Sequence, residues 1–138
     1  MTAYISISYS KRKLLDKELT AIIKTLNEFK INPFVFVDNY KFAPAQEREM
    51  MRQAMIDIDN YDILIAETSD KAIGIGIEVG YAKAKNKPVI YLRQKDAEHS
   101  TTVSGIRDFQ IIYSGINDLQ IQLADTLGKL SLHTKAIQ

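Results

Sequence analysis

Two short, uninterrupted apolar runs, Ile63 to Ala66 and Pro88 to Leu92, bracket an interval with the length and composition of a helix. Strands written without polar alternation are covered on both faces, and such strands pair in parallel. A parallel pair in turn requires a crossover of a dozen or more residues, usually helical. Asp62 to Leu92 therefore reads as one βαβ unit, and the rest of the chain has to extend the same sheet. Gly76 can enter the crossover helix without steric cost, and Asn86 followed by Lys87-Pro88 marks its end. This placement predicts Glu78 in the helix's first turn, at the carboxyl end of the sheet, where open α/β folds hold their ligands. A helix dipole favours an ionised carboxylate there, so Glu78 suits an anion or nucleophile better than a proton donor. The alternative is a solvated acid decorating a helix N-terminus.

The flanking segments repeat the alternation. Ala3 to Ser8 is the first predicted strand, and Ser10 is an N-cap candidate for a helix over 11–30 whose Leu15, Leu19, Ile22, Ile23, Leu26 and Phe29 recur at helical spacing. Ser8, Tyr9 and Ser10 form the intervening turn, which offers hydroxyls and free N–H groups either to a phosphate or to simple capping. Phe34 to Val37 is the second strand, bounded by Pro33 and Asp38-Asn39. Tyr40 and Phe42 follow it, placed either to stack on a nucleobase or to close over the core. A helix over 45–59 carries Met50, Met51, Ala54, Met55 and Ile58, a face for core packing or for a subunit interface. Beyond the central unit, 93–102 is polar and suits a binding loop, 103–107 a short helix, 110–113 a fifth strand and 116–130 a last helix, with a loose tail at 133–138. Five such alternations predict a single flavodoxin-like or Rossmann-like α/β domain over 1–132: a parallel sheet ordered 2-1-3-4-5 with helices on both faces.

Composition narrows the chemistry. Eighteen basic against seventeen acidic residues leave a net charge of +1 over 138 residues, which gives no electrostatic footprint for nucleic acid or an anionic membrane. The absence of cysteine removes thiolate nucleophiles and Cys-rich metal sites, and His99 and His133 have no ligand-spaced companions, so neither metal nor cofactor is expected. No run approaches the ~20 apolar residues of a membrane span, and a cytoplasmic location is the default expectation.

The segment Gly74-Ile75-Gly76-Ile77-Glu78-Val79-Gly80-Tyr81-Ala82, preceded by a strand ending in Ala66-Glu67, resembles the signature of the nucleoside 2-deoxyribosyltransferase superfamily, which includes the 2'-deoxynucleoside 5'-monophosphate N-glycosidases. The resemblance runs from Tyr4 to Leu127, with the central segment its specific part. It implies that Glu78 is the nucleophile. The implied reaction cleaves the N-glycosidic bond of a deoxyribonucleoside or its 5'-monophosphate through a deoxyribosyl-enzyme, which is passed to water or to another base. Tyr4 and Ser8 match the tyrosine and serine of the hydrolase motif. Ser100, Thr101 and Thr102 lie near a serine that in those hydrolases reaches the phosphate held by the neighbouring subunit, which implies at least a homodimer; Met50, Met51 and Met55 are the expected contact.

The chain also departs from the pattern. Counting back from Asp62 to the family's second acid reaches Gln53 and Ala54, the position six residues before the nucleophile is Ala72, and Ser8-Tyr9-Ser10 replaces Gly-Ser-Ile-Arg. Of the nearby acids Asp57, Asp59 and Asp70, only Asp70 lies on the strand-to-helix loop facing the crevice. The expected catalytic set is therefore Glu78, Asp70 and Tyr4, with Ser8, Tyr9, Ser10, Gly74, Gly76, Tyr40, Phe42, Ser100, Thr101 and Thr102 binding substrate. Two other readings stay open. Tyr4 to Ser10 also resembles the opening of Toll/interleukin-1 receptor-type domains, some of which cleave NAD with a glutamate. A nucleotide-binding module could equally keep the fold and Glu78 while lacking turnover. A dinucleotide fold would carry its glycines after the first strand rather than the third.

Overall fold

In the computed structural model, which describes residues 1–137 and side chains through Leu132, five strands form one parallel sheet. They are β1 (Thr2–Ile7), β2 (Asn32–Val35), β3 (Ile63–Glu67), β4 (Val89–Gln94) and β5 (Phe109–Tyr113), ordered β2-β1-β3-β4-β5 as predicted. Alternate residues of each strand feed opposite faces. Ala3, Ile5 and Ile7 of β1 join Ile65, Ile90 and Leu92 beneath α1 (Asp16–Glu28) and the last helix. Tyr4 joins Leu64, Ala66 and Tyr91 on the other face. There α2 (Phe36–Asn39), α3 (Glu47–Asn60), α4 (Ile73–Ala84) and α5 (Thr101–Gly105) cover the sheet. The last helix, α6 (Ile116–Ile137), presents Leu119, Leu123, Leu127 and Leu130 to the first face. It runs past the predicted end at 130; side chains from 133 on, and with them the expected tail 133–138, lie outside the described residues.

Several boundaries differ from the sequence expectation. The first helix opens as a 3-10 turn over Arg12–Leu15, and Ser10 does not cap it; Ser8 Oγ accepts the Lys11 N–H instead, at 3.4 Å. β2 stops at Val35, because its pairing with β1 ends at Ile5↔Val35 and the chain then coils into α2. The Asn39 amide donates to Val35 O at 2.6 Å, and Phe36 is buried against Tyr4 with ring centroids 6.0 Å apart. α4 begins at Ile73 rather than near Gly76, since Ile75, Val79 and Ala82 lie one helical repeat apart and are all buried against the sheet. Glu78 is consequently in the second turn of α4, not the first. α5 starts at Thr101, its cap supplied by Ser100 Oγ accepting from Val103 N–H.

The strand order reverses at β1, between β2 and β3. In an open α/β sheet the crevice outside the carboxyl ends of the strands at such a point is where ligands bind.

Candidate active site

β1 carries Tyr4 and Ser6 on the face covered by α4, and α4 carries Glu78 above them. Glu78 forms one wall of a cavity of about 560 Å³ together with Gly74, Tyr9, Tyr40, Phe42 and Glu47. Burial pushes the Glu78 carboxyl above its ordinary value, and the nearby Tyr4 and Ser6 hydroxyls pull it partly back. Tyr4 is itself fully buried, and burial followed by the charge of Glu78 holds its phenol well above the usual tyrosine range. None of these groups completes a hydrogen bond of normal geometry. Tyr4 Oη, Ser6 Oγ and Glu78 Oε2 are buried without a partner, a costly arrangement inside a low-dielectric wall. The expected helix-dipole stabilisation of Glu78 gives way to desolvation, because the dipole acts within the first turn and Glu78 lies beyond it. An anion so desolvated is poised to meet positive charge developing in the cavity.

The opposite wall is aromatic. Tyr40 stands 5.0 Å from Phe36 and 5.6 Å from Phe42, centroid to centroid, so the two loop aromatics pack on the core and line the cavity at once. Tyr9 is 76% exposed at the rim. Met50 and Met51 also belong to this wall, leaving Met55 as the more exposed methionine of α3.

Ser8, Ser10 and Asp70 form a separate cluster where the loops after β1 and β3 meet. Buried Ser8 Oγ donates to Asp70 Oδ2 at 2.5 Å and lies 3.3 Å from Ser10 Oγ. None of these side chains is on the cavity wall, although Tyr9, Ala72 and Gly74 beside them are. Gly76, Ser100, Thr101 and Thr102 line a second cavity of about 480 Å³ with Lys71, across the first turn of α4. Ala72 and Ile75 are shared by both.

Three groups near the site escaped sequence reasoning. Ser6 was legible, since strand alternation places it on the Tyr4 face. Glu47 reaches the wall because a 3-10 turn, Pro44–Gln46, aims the start of α3, with Gln46 Oε1 accepting Ala43 N–H at 2.8 Å. Asp57, one turn beyond Gln53 on α3, is buried; Gln53 Nε2 donates to its Oδ1 at 3.0 Å, while Oδ2 has no partner. Burial holds the Tyr4, Tyr40 and Tyr61 phenols up, and the nearby Asp57 adds in the same sense. Among the described residues no cluster of three or more His, Cys, Asp or Glu is arranged to hold a metal ion, and no helix is long and apolar enough to cross a membrane.

The chain is 32% identical over 124 residues to a Syntrophotalea carbinolica protein named as a 2'-deoxynucleoside 5'-phosphate N-hydrolase, covering 85% of this chain and 82% of that protein. Among solved structures it shares its fold with the CMP N-glycosidase BcmB of Clostridium botulinum (TM-score 0.63, 20% identity, 89% of this chain and 98% of that one). It also shares its fold with the 2-deoxyribosyltransferase of Bacillus psychrosaccharolyticus (TM-score 0.66, 15% identity, 87% and 90%). These comparisons favour neither the NAD-cleaving nor the binding-only alternative. The nucleoside 2-deoxyribosyltransferase family profile matches residues 8–127, which take in β2 to β5 and Glu78 while β1 precedes them, and the chain belongs to that family of enzymes.

Proposed function

We propose that this chain cleaves the N-glycosidic bond of a 2'-deoxyribonucleoside or its 5'-monophosphate, with Glu78 as nucleophile. The observation that carries the reading is the Glu78 carboxylate itself: desolvated, flanked by the Tyr4 and Ser6 hydroxyls, and open on one side to a nucleoside-sized cavity with an aromatic wall. A Glu78 oxygen bonds to C1' as the C1'–N bond breaks, and the bonding pair leaves with the base. Positive charge building on the sugar is stabilised by the same carboxylate. Water, or a second base, then attacks C1' and releases Glu78, giving net retention as in retaining glycosidases. Tyr40 and Phe42 give the base a stacking surface. The departing base needs a proton, and Glu47 is the second carboxyl on the wall. Asp70, engaged by Ser8 behind the wall, is poorly placed to supply it. With Gln53 and Ala54 where relatives carry an aspartate, turnover should be slow and should favour good leaving groups.

The chain is further proposed to act as a cytoplasmic homodimer. The experiment is a panel of deoxynucleosides and their monophosphates, with and without an acceptor base, scored for released base. Wild-type chain should release base and Glu78→Ala should not, while both unfold cooperatively. Equal rates in the two proteins, or binding without any release, would defeat the reading.

A further inference from the structure

We propose that the Glu78 cavity is built for a cationic nucleobase, and that its preferred substrates are deoxynucleosides whose purine is made positive by N-alkylation. The inference rests on the reading of Glu78 as nucleophile and names the substrate class of that same site.

The wall carries charge of one sign. Its carboxyls are Glu47 and Glu78, and among the described residues no Lys, Arg or His lines it. No cation neutralises either carboxyl, since the ion pairs of the described residues involve neither. The basic groups of the surrounding loops are off the wall or engaged elsewhere. Lys11, Lys41 and Arg48 are exposed and do not line it. Arg12 donates to both Asp38 oxygens, at 2.8 and 2.7 Å, and Lys71 pairs with Glu98 at 3.1 Å beside the second cavity. A cleft lined by one sign of charge concentrates ligands of the other.

The remainder of the wall suits a flat, delocalised cation. Phe36, Tyr40 and Phe42 all line the cavity and form a three-ring cluster: Tyr40 lies 5.0 Å from Phe36 and 5.6 Å from Phe42, and those two are 6.1 Å apart. A ring face attracts a cation within about 6 Å of its centroid, and more strongly once water is excluded. Met50 and Met51 add polarisable thioethers to the same wall. A positive ring would also favour the ionised form of Glu78, which burial alone disfavours.

Such a substrate removes the need for a proton donor. A neutral purine must gain a proton as it leaves, and Glu47 is the carboxyl left to supply it. A 7-alkylated purine needs none. As a Glu78 oxygen bonds to C1', the C1'–N9 bonding pair passes to N9 and cancels the positive charge of the ring, so the base departs neutral. Water then attacks C1', loses a proton and releases Glu78. Glu47 thus acts as an acid toward a neutral base and as a counter-charge toward a cationic one.

The binding test uses the wild-type full chain and carbocyclic analogues, which cannot lose their base. One is the analogue of 7-methyl-2'-deoxyguanosine, kept cationic in mildly acidic buffer; the other is its 7-methyl-7-deaza counterpart, neutral and of the same outline. Calorimetry should give the cation a Kd lower by about tenfold or more, with the ratio narrowing as salt is raised. Glu47→Gln should shrink the ratio by weakening the cation alone. Equal or tighter binding of the neutral analogue overturns the proposal, and a ratio unmoved by Glu47→Gln overturns the part given to Glu47. Base release is scored separately on 7-methyl-2'-deoxyguanosine and 2'-deoxyguanosine, with spontaneous loss subtracted. Glu47→Gln should lower kcat for the neutral nucleoside but raise only KM for the cation, a split that a merely structural change would not produce. Base release without a preference for the cation in binding overturns the selectivity and leaves the Glu78 reading intact. Tighter binding of the cation without enzymatic release from either nucleoside supports the selectivity and overturns the Glu78 reading.

Discussion

Glu78 Oε1 lies 3.8 Å from the point where a β-carbon on Gly74 would stand, one turn earlier on α4. Positions i and i+4 share a helix face, so a glycine here keeps clear the space over the carboxylate, which the proposed mechanism gives to the sugar. Gly74→Ala introduces only ordinary van der Waals contact, and alanine is favoured over glycine within a helix by up to about 1 kcal/mol. Thermal unfolding should therefore show an unchanged or higher Tm. Base release should nevertheless fall by roughly tenfold to a hundredfold, because the new methyl displaces the reacting carbon.

Acid should silence the enzyme earlier than an ordinary carboxylate would suggest. As the proposed nucleophile Glu78 would have to be ionised to attack C1', and burial raises its pKa above the usual value of about 4.3. The acidic limb of kcat/KM should have its midpoint on the neutral side of that value. Tyr4→Phe removes a hydroxyl that favours the ionised form, so the midpoint should move higher still. A limb that stays in place would show that Tyr4 does not act on Glu78.

Glu47 supplies a separate test of proton donation. Glu47→Gln keeps the shape of an exposed residue at the start of α3, so stability should change by no more than about 0.5 kcal/mol. Loss of a general acid should slow release of poor leaving bases by roughly a hundredfold or more, and should affect good leaving groups much less. Equal slowing across a leaving-group series would rule out that role.

A further buried carboxyl lies on the far face of the sheet. Glu67 is 0% exposed, accepting from Ser69 N–H at 2.6 Å and from Tyr113 Oη at 2.7 Å. Burial outweighs these bonds and raises its pKa, with Glu18 adding in the same sense. A raised carboxyl holds its proton more tightly in the folded chain, so its contribution is complete below the unfolded value and is lost as pH rises through the folded value. Glu67→Gln removes this dependence. The Tm of wild type minus that of the variant should become more negative from pH 5 to pH 8, with the Glu78 contribution cancelling in the difference. Base release should change little, since Glu67 does not touch the cavity.

The sheet order and the place of Glu78 at its carboxyl end were legible because continuous apolar runs admit few arrangements: Ile63 to Ala66 and Pro88 to Leu92 can hardly be anything but parallel neighbours. What stayed hidden depended on docking. Gly74 and Gly76 lower helix propensity, so the segment reads as loop, yet burying Ile75 against the sheet carries the helix back to Ile73. Phe36-Val37 has strand composition, but an edge strand with no partner beyond Val35 is free to coil, and the Asn39 amide rewards that choice. Glu47 and Asp57 approach the site only once α3 packs on the sheet, which no local pattern encodes. Asp70 and Ser8 are far apart in sequence, and only the folded loops disclose that one holds the other.

The assembly can be tested through α4. Ile73 is 86% and Ile77 52% exposed, one turn apart on this helix, and α3 adds the partly exposed Met55 and Ile56. Met50 and Met51 belong to the cavity wall, so the contact expected from α3 alone is better proposed as a surface shared by both helices. A two-fold pairing would cover the same patch on each subunit. It would also lie beside the second cavity, which Ile73 lines together with Ser100, Thr101 and Thr102. Light scattering at micromolar concentration should report a dimer for wild type and a monomer for the double variant Ile73→Glu with Ile77→Glu. Both side chains are largely solvent-exposed in the single chain, so the variant should still unfold cooperatively. A monomeric wild-type chain, or a double variant that stays dimeric, would place the subunit contact elsewhere or remove it.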